Sequence, residues 1–300
     1  MINARRMGSV LCLVSAACFG AMAIFGKLAY DAGVSPGALL LVRFTLAAAL
    51  LGLVLLARPA EAPRARVVLT ALGLGAVGYA TQASLFFAAL RVMDASLLSL
   101  ILYTYPVLVT VAAVALGRDR LTRARGAALA AASAGTLLVL LGAGGGRFDP
   151  LGALLAFGSA VVYTAYILVC DTIVGQVPPV VLAALVMTGA AGAFGARALV
   201  TGVDLRFGPA GWWWLGCIAV VSTVGAMLTF FAGLRRTGPA TAAILSTFEP
   251  VVTTALAALT LGELLSPAQL AGGLLVLSSV AVLQLRPAAR NAQVAGSNSR

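Results

Sequence analysis

Residues 246–250 read Ser-Thr-Phe-Glu-Pro and stand in the middle of a strongly apolar stretch. Glu249 at this position could meet a substrate amine, carry a proton, or hydrogen-bond neighbouring hydroxyls as a buried structural acid. A charge near the bilayer centre costs on the order of 2.5–3.5 kcal/mol on insertion scales, so the carboxyl should face a cavity, be paired or be protonated. Pro250 has no N–H, which deprives the Ser246 carbonyl of its helical partner and lets the helix kink. Ser246, Glu249, Pro250 and Thr253 fall on one helical face.

A weaker copy, Leu102-Tyr103-Thr104-Tyr105-Pro106, lies 144 residues earlier and has the proline without the acid. Ser99, Tyr103 and Pro106 share a face there, and Pro106 frees the Leu102 carbonyl. Two prolines at matching places read as kinks that gate a pathway or as kinks that only serve packing. Polar and aromatic residues recur at helical spacing in three other runs: Ser15, Phe19 and Met22; Tyr79, Gln82 and Phe86; Ser159, Tyr163 and Tyr166. Such faces suit a cavity for a partly apolar solute with hydrogen-bonding ends. Arg43 could bind a carboxylate, but its position near a span end reads as snorkelling to the interface or capping a neighbouring helix. Ser266-Pro267 with Gln269 reads as a capped helix start, which leaves Glu263 as loop structure.

The elements that carry these residues must be membrane helices. With 61% hydrophobic and 10% charged residues and a mean hydropathy of +1.05, the 300-residue chain has too little polar surface to cover a soluble globule. Ten apolar runs of spanning length are expected, at 7–30, 36–57, 66–90, 95–116, 124–143, 151–171, 178–200, 211–234, 238–261 and 267–286. The first is read as a retained helix, not a cleaved signal peptide. The net charge of +11 would suggest nucleic acid in a soluble protein, but these arginines lie between apolar runs and act as topology signals. Fourteen basic residues fall on one side and five on the other if the N-terminus is cytoplasmic, so both termini are expected in the cytoplasm. Residues 287–300 are expected to form a disordered tail. Cys12, Cys18, Cys170 and Cys217 form no CxxC pair, and the chain has no histidine. A disulfide framework, a metal site and a cofactor are therefore not expected, and a membrane-embedded lipid-modifying enzyme is disfavoured.

The 144-residue offset is constant across several helices. It maps Gly8 on Gly152, Ser15-Ala16 on Ser159-Ala160, Phe86-Phe87-Ala88 on Phe230-Phe231-Ala232, and Pro106-Val107 on Pro250-Val251. Residues 1–143 and 144–286 are thus read as two homologous five-helix repeats. Five is odd, so the second repeat must enter the membrane upside down relative to the first. Inverted repeats are a mark of secondary transporters, whose substrate site lies near the midplane between the halves.

Phe248-Glu249-Pro250-Val251 followed by Leu261-Gly262-Glu263, Gln269 and Gly272-Gly273 resembles the signature of EamA-type proteins in the drug/metabolite transporter superfamily. Tyr103-Thr104-Tyr105-Pro106 with Gly117 and Leu121-Thr122, and Arg43-Phe44 in the second run, are similar to the same family over residues 7–286. Gly117-Arg118-Asp119-Arg120 departs from the family's usual Gly-Glu. The resemblance implies ten helices, two inverted repeats, and a cavity lined by the first, third, fourth, sixth, eighth and ninth helices. It also implies metabolite export, with similarity to YddG-like amino-acid exporters. The expectation is an all-α bacterial inner-membrane carrier, a monomer or weak homodimer, that exports amino acids, aromatic or other apolar ones favoured, by alternating access. Proton coupling is open. Other amphipathic metabolites or drugs, or a nucleotide-sugar-like solute, are the alternative cargo. A channel is disfavoured because no ring-forming pore motif occurs.

Overall fold

The computed structural model of the chain describes residues 2–61, 63–117, 126–127, 130–131, 134–135, 137–138, 149–237, 245–246 and 248–278. The described residues are helical apart from short connections. In chain order the helices are α1 (Ile2–Asp31), α2 (Pro36–Ala57), α3 (Ala65–Val92), α4 (Ala95–Ala115), α5 (Pro150–Cys170) and α6 (Pro179–Thr201). After them come α7 (Pro209–Leu234) and the shorter α8 (Glu249–Leu261) and α9 (Pro267–Ser278). The first seven are long and apolar enough to cross a membrane. Most of the expected fifth run, 124–143, and the tail at 287–300 lie outside the described residues.

Helix starts follow local chemistry. Ser35 accepts a hydrogen bond from the Ala38 N–H, and Asp149 from the Gly152 N–H, each just ahead of a first-turn proline. At α9 the capping box closes both ways. The Ser266 N–H donates to Gln269 Oε1 at 2.8 Å, and the Gln269 N–H donates to Ser266 Oγ at 3.2 Å.

Polarity is arranged for a lipid surround. Leu56, Leu69, Leu199, Leu259 and Leu264 are among the most exposed side chains, whereas Ser15, Arg43, Gln82, Ser99, Ser159 and Thr223 are buried. Lipid accepts exposed leucine without cost, while polar side chains must find partners inside the protein.

Three features depart from the sequence expectation. α3 and α7 are not regular: each contains a π-helical turn, Leu74–Tyr79 in the first and Val220–Gly225 in the second. The prolines do not sit within a kinked helix. α4 is broken at Tyr103-Thr104, so Pro106 falls in the first turn of its second segment, Tyr105–Ala115. Pro250 likewise lies in the first turn of α8, after a turn at Phe248. A proline at that position loses no intrahelical bond of its own, because first-turn N–H groups have no helical acceptor.

The third departure concerns Glu263, expected to be loop structure alone. Gly262 takes a left-handed φ of 67° that ends α8, and the chain then aims the Glu263 carboxylate at the start of α4. There it accepts bonds from the Ala95 N–H, the Ser96 N–H and Ser96 Oγ, each at 3.1 Å. A carboxylate on the orphan N–H groups of a helix start is favoured by hydrogen bonding and by the helix dipole.

Close packing falls at small residues. The backbones of α3 and α6 touch so tightly that a Cβ on Gly189 would collide with the Leu72 carbonyl, and one on Gly75 with the Val186 carbonyl. Backbone cannot move aside as a flexible side chain can. Gly189→Val is therefore expected to cost more than the ~1–3 kcal/mol typical of overpacked cores, read as a lowered unfolding temperature in detergent. An unchanged melting curve would mean that α3 and α6 are not in contact here.

Candidate functional site

A cavity of about 120 Å³ opens between helices of the two sequence halves. From α1 come Phe19, Met22 and Ala23; from α2 Arg43; from α3 Tyr79, Gln82, Ala83, Phe86 and Phe87. α4 contributes Ser99, Leu102, Tyr103 and Tyr105, α5 contributes Tyr163, and α8 contributes Glu249 and Thr253. Of the candidates read from the sequence, Phe19, Met22, Tyr79, Gln82, Phe86, Ser99, Tyr103, Tyr163 and Glu249 thus lie on one wall or another of this cavity.

Ser15, Tyr166 and Ser246 do not line it. Ser15 is buried and its Oγ donates to the Ala226 carbonyl at 2.7 Å. Its counterpart Ser159 donates to the Gln82 carbonyl at 3.1 Å and accepts from Gln82 Nε2 at 3.0 Å. Ser15 and Ser159 are 144 residues apart, and so are Gln82 and Ala226: the same bond is made twice with the halves exchanged. Helical spacing placed these serines on the correct face, but they are spent on backbone carbonyls next to the irregular turns. Tyr166 packs behind the wall, stacked on Tyr163 with ring centroids 5.8 Å apart and tilted against Tyr79 at 5.5 Å.

Ser246 contributes its carbonyl. Pro250 cannot donate to it, and the Tyr103 hydroxyl donates instead, at 2.6 Å. The same hydroxyl lies 3.0 Å from Glu249 Oε2. One phenol therefore joins the proline break of α8, the acid beside it, and the break in α4 where Tyr103 itself resides. The Thr104 hydroxyl satisfies the Ile101 carbonyl at that first break, at 2.8 Å. Thr253, one turn after Glu249, donates to the Gly20 carbonyl of α1 at 3.0 Å.

A tyrosine series leads away from this point. Tyr103 meets Tyr105 edge-on at 5.6 Å, Tyr105 meets Tyr163 at 4.8 Å, and the stack continues through Tyr166 to Tyr79. Edge-to-face and offset contacts of this kind fix ring orientation. The series ends at Arg43, whose terminal nitrogen is 3.5 Å from the Tyr79 hydroxyl.

Arg43 corrects the sequence reading. It neither snorkels to an interface nor caps a helix. It is 2% exposed, lines the cavity, and donates from Nε to Thr223 Oγ1 at 3.1 Å. Its position near a span end was misleading because α2 packs against α6 and α7 on both sides, leaving no lipid-facing route for the side chain. Tyr105, Phe87 and Leu102 were also missed. Tyr105 could have been found, since the 144-residue offset places it opposite Glu249.

Removing the Tyr103 hydroxyl would take one hydrogen-bond partner from the Ser246 carbonyl and Glu249 together. Tyr103→Phe is expected to destabilise the protein by about 1–3 kcal/mol, the cost of unsatisfied buried polar groups, with the loss measured by thermal unfolding in detergent. Stability equal to the parent would show that another group satisfies this carbonyl.

The model of the EamA-like transporter family matches the chain twice, over residues 6–141 and 150–285, so both ends of the match recur at the 144-residue offset. An uncharacterized transporter, YcbK of Bacillus subtilis (strain 168), is 30% identical over 279 residues, covering 88% of this chain and 88% of that protein. A solved crystal structure superposes with a TM-score of 0.66 over 93% of this chain and 96% of its own, at 21% identity, and so shares the fold. With both halves matched, the chain belongs to the EamA-like transporter family, membrane transporters of the drug/metabolite superfamily.

Proposed function

We propose that this transporter exports amino acids, aromatic or other apolar ones favoured, by alternating access of two inverted five-helix repeats, residues 1–143 and 144–286. The observation that carries the reading is a small aromatic cavity built jointly by the two halves, with a carboxyl group at a proline break. A solute with an apolar side chain and charged ends matches such a lining.

Helix directions support the inverted arrangement. α1 ends beside the end of α3, where Tyr30 donates to the Phe87 carbonyl at 2.8 Å. α3 in turn ends beside the start of α5, where Gly152 packs on Val92 and Met93. α5 is the counterpart of α1 at the 144-residue offset, and these contacts have it running the opposite way. With ten spans and the arginine distribution of the sequence, both termini would be cytoplasmic in a bacterial inner membrane.

Hydrogen counting favours a role for Glu249 in proton coupling. The Tyr103 hydroxyl has one hydrogen and two acceptors, the Ser246 carbonyl and Glu249 Oε2. A protonated Glu249 can donate to Tyr103, which then donates to Ser246, and every group is satisfied. An ionised Glu249 competes with the Ser246 carbonyl for that single hydrogen and weakens the bond from Tyr103 to that carbonyl. Proton loss therefore loosens the joint between α4 and α8, while proton gain closes it.

Two measurements test this. Purified protein in liposomes is expected to move labelled amino acids, and no flux across the full amino-acid panel would sink the cargo assignment. Glu249→Gln keeps an N–H donor for Tyr103 but cannot ionise, so it is expected to transport with no response to an imposed pH gradient. A gradient response equal to the parent's would reduce Glu249 to a structural residue.

A further inference from the structure

Arg43 is a buried cation whose donors are mostly unspent. A guanidinium carries five N–H groups. Nε is used on Thr223, and one terminal N–H reaches Tyr79 at the long distance of 3.5 Å. Its guanidinium carbon also lies over two ring faces, Phe44 at 5.0 Å and Phe87 at 5.5 Å from the centroids. Ring faces attract the charge but do not accept the in-plane hydrogens. Among the described residues no acidic side chain forms an ion pair with it, although it lines the same cavity as Glu249.

The side chain is nevertheless held firmly. Tyr79 and Thr223 occupy equivalent positions in the two halves, 144 residues apart. Each belongs to a π-helical turn, Leu74–Tyr79 and Val220–Gly225. Thr223 is itself fixed by donating to the Ile218 carbonyl at 2.9 Å. Phe44 is clamped edge-on by Tyr79 at 5.5 Å and stacked on Phe194 at 5.4 Å. Such π-helical turns are uncommon and gather at functional sites. Two of them converge here on one arginine, which is costly to leave unpaired inside a membrane protein.

We infer that Arg43 binds the carboxylate of the transported solute, so that the cargo is a small monocarboxylate whose amino end is turned toward Glu249. This rests on the amino-acid reading above and names the residue that selects it. One planar guanidinium matches one carboxylate through paired N–H donors. A phosphate group, with a charge of about −1.5 to −2 at neutral pH, would call for a second cation, and among the described residues no lysine or other arginine lines the cavity. Nucleotide-linked sugars are thereby disfavoured as cargo.

The test measures binding of the twenty amino acids to the detergent-purified full chain, then of the carboxamides of those that bind. The parent protein is expected to favour acid over amide by at least about tenfold, since a site built for a charged group is left unpaired by its neutral analogue. Arg43→Gln should erase that preference by weakening the acid while leaving the amide nearly unchanged. Arg43→Lys, which keeps the charge but not the fork, should fall between them. If no amino acid binds the parent, the cargo assignment and this inference fall together. If amino acids bind but the amides bind as well, or Arg43→Gln retains the acid preference, the assignment of Arg43 is overturned while amino-acid cargo stands. Should Arg43→Gln not fold, the acid and amide series on the parent and Arg43→Lys still decides.

Discussion

Every polar group within the span of a membrane must find its partner inside the protein, because lipid offers none. The structure is built around that constraint wherever the helices are irregular. At helix breaks and π-helical turns carbonyls leave the regular ladder, and hydroxyl groups of the same or a neighbouring helix take up the slack. Tyr103 serves the Ser246 carbonyl ahead of α8, Thr104 the carbonyl of Ile101, Thr223 that of Ile218, and Ser15 that of Ala226. The buried serines, threonines and tyrosines are thus the consequence of broken helices, and broken helices are what give the cavity its walls.

The two halves share this scaffold but not its chemistry. Ser15 on Ala226 and Ser159 on Gln82 are one contact made twice, and Tyr79 and Thr223 hold Arg43 from equivalent positions. The charged groups have no such twins. Position 105 is tyrosine where position 249 is glutamate, and position 187 is methionine where position 43 is arginine. Both tyrosine and glutamate line the cavity, while Met187 is buried in the core. The unmatched acid and cation thus make the lining of the cavity chemically asymmetric on a repeated frame.

Hydropathy and the fixed offset made most of the architecture legible in the sequence. The runs at 36–57, 66–90, 95–116, 151–171 and 178–200 agree with observed helices to within about two residues, because length and apolarity are all that a spanning helix requires. The site was legible only as faces. Helical spacing grouped Phe19 with Met22 and Tyr79 with Gln82 and Phe86, but it could not say what each face would meet. Ser15 belonged to a face that turned out to meet a backbone carbonyl. Arg43 was misjudged for the opposite reason: distance along its own helix says nothing of the neighbours packed around it. The π turns had no sequence mark, and they decide where Tyr79 and Thr223 point. Glu263 was read from its local loop, whereas its partners are 168 and 167 residues away in the chain.

That long-range contact bears on how the molecule can move. α4 belongs to the first sequence half, yet both its start and its break are tied to the second. Glu263 accepts three hydrogen bonds at its first turn, and Tyr103 at its break reaches Ser246 and Glu249. A rocking motion that followed the sequence boundary would have to break all five contacts at once. A motion that carried α4 with α8 would keep them, and would open the cavity instead between α4 and the helices of its own half. Pro106 and Pro250, at the first turns after the two breaks, leave each helix without a continuous ladder at the height of the cavity. These bonds tie α4 to the segment around α8 across the boundary between the two sequence halves. The Glu249 carboxyl shares the hydroxyl that holds the two breaks together.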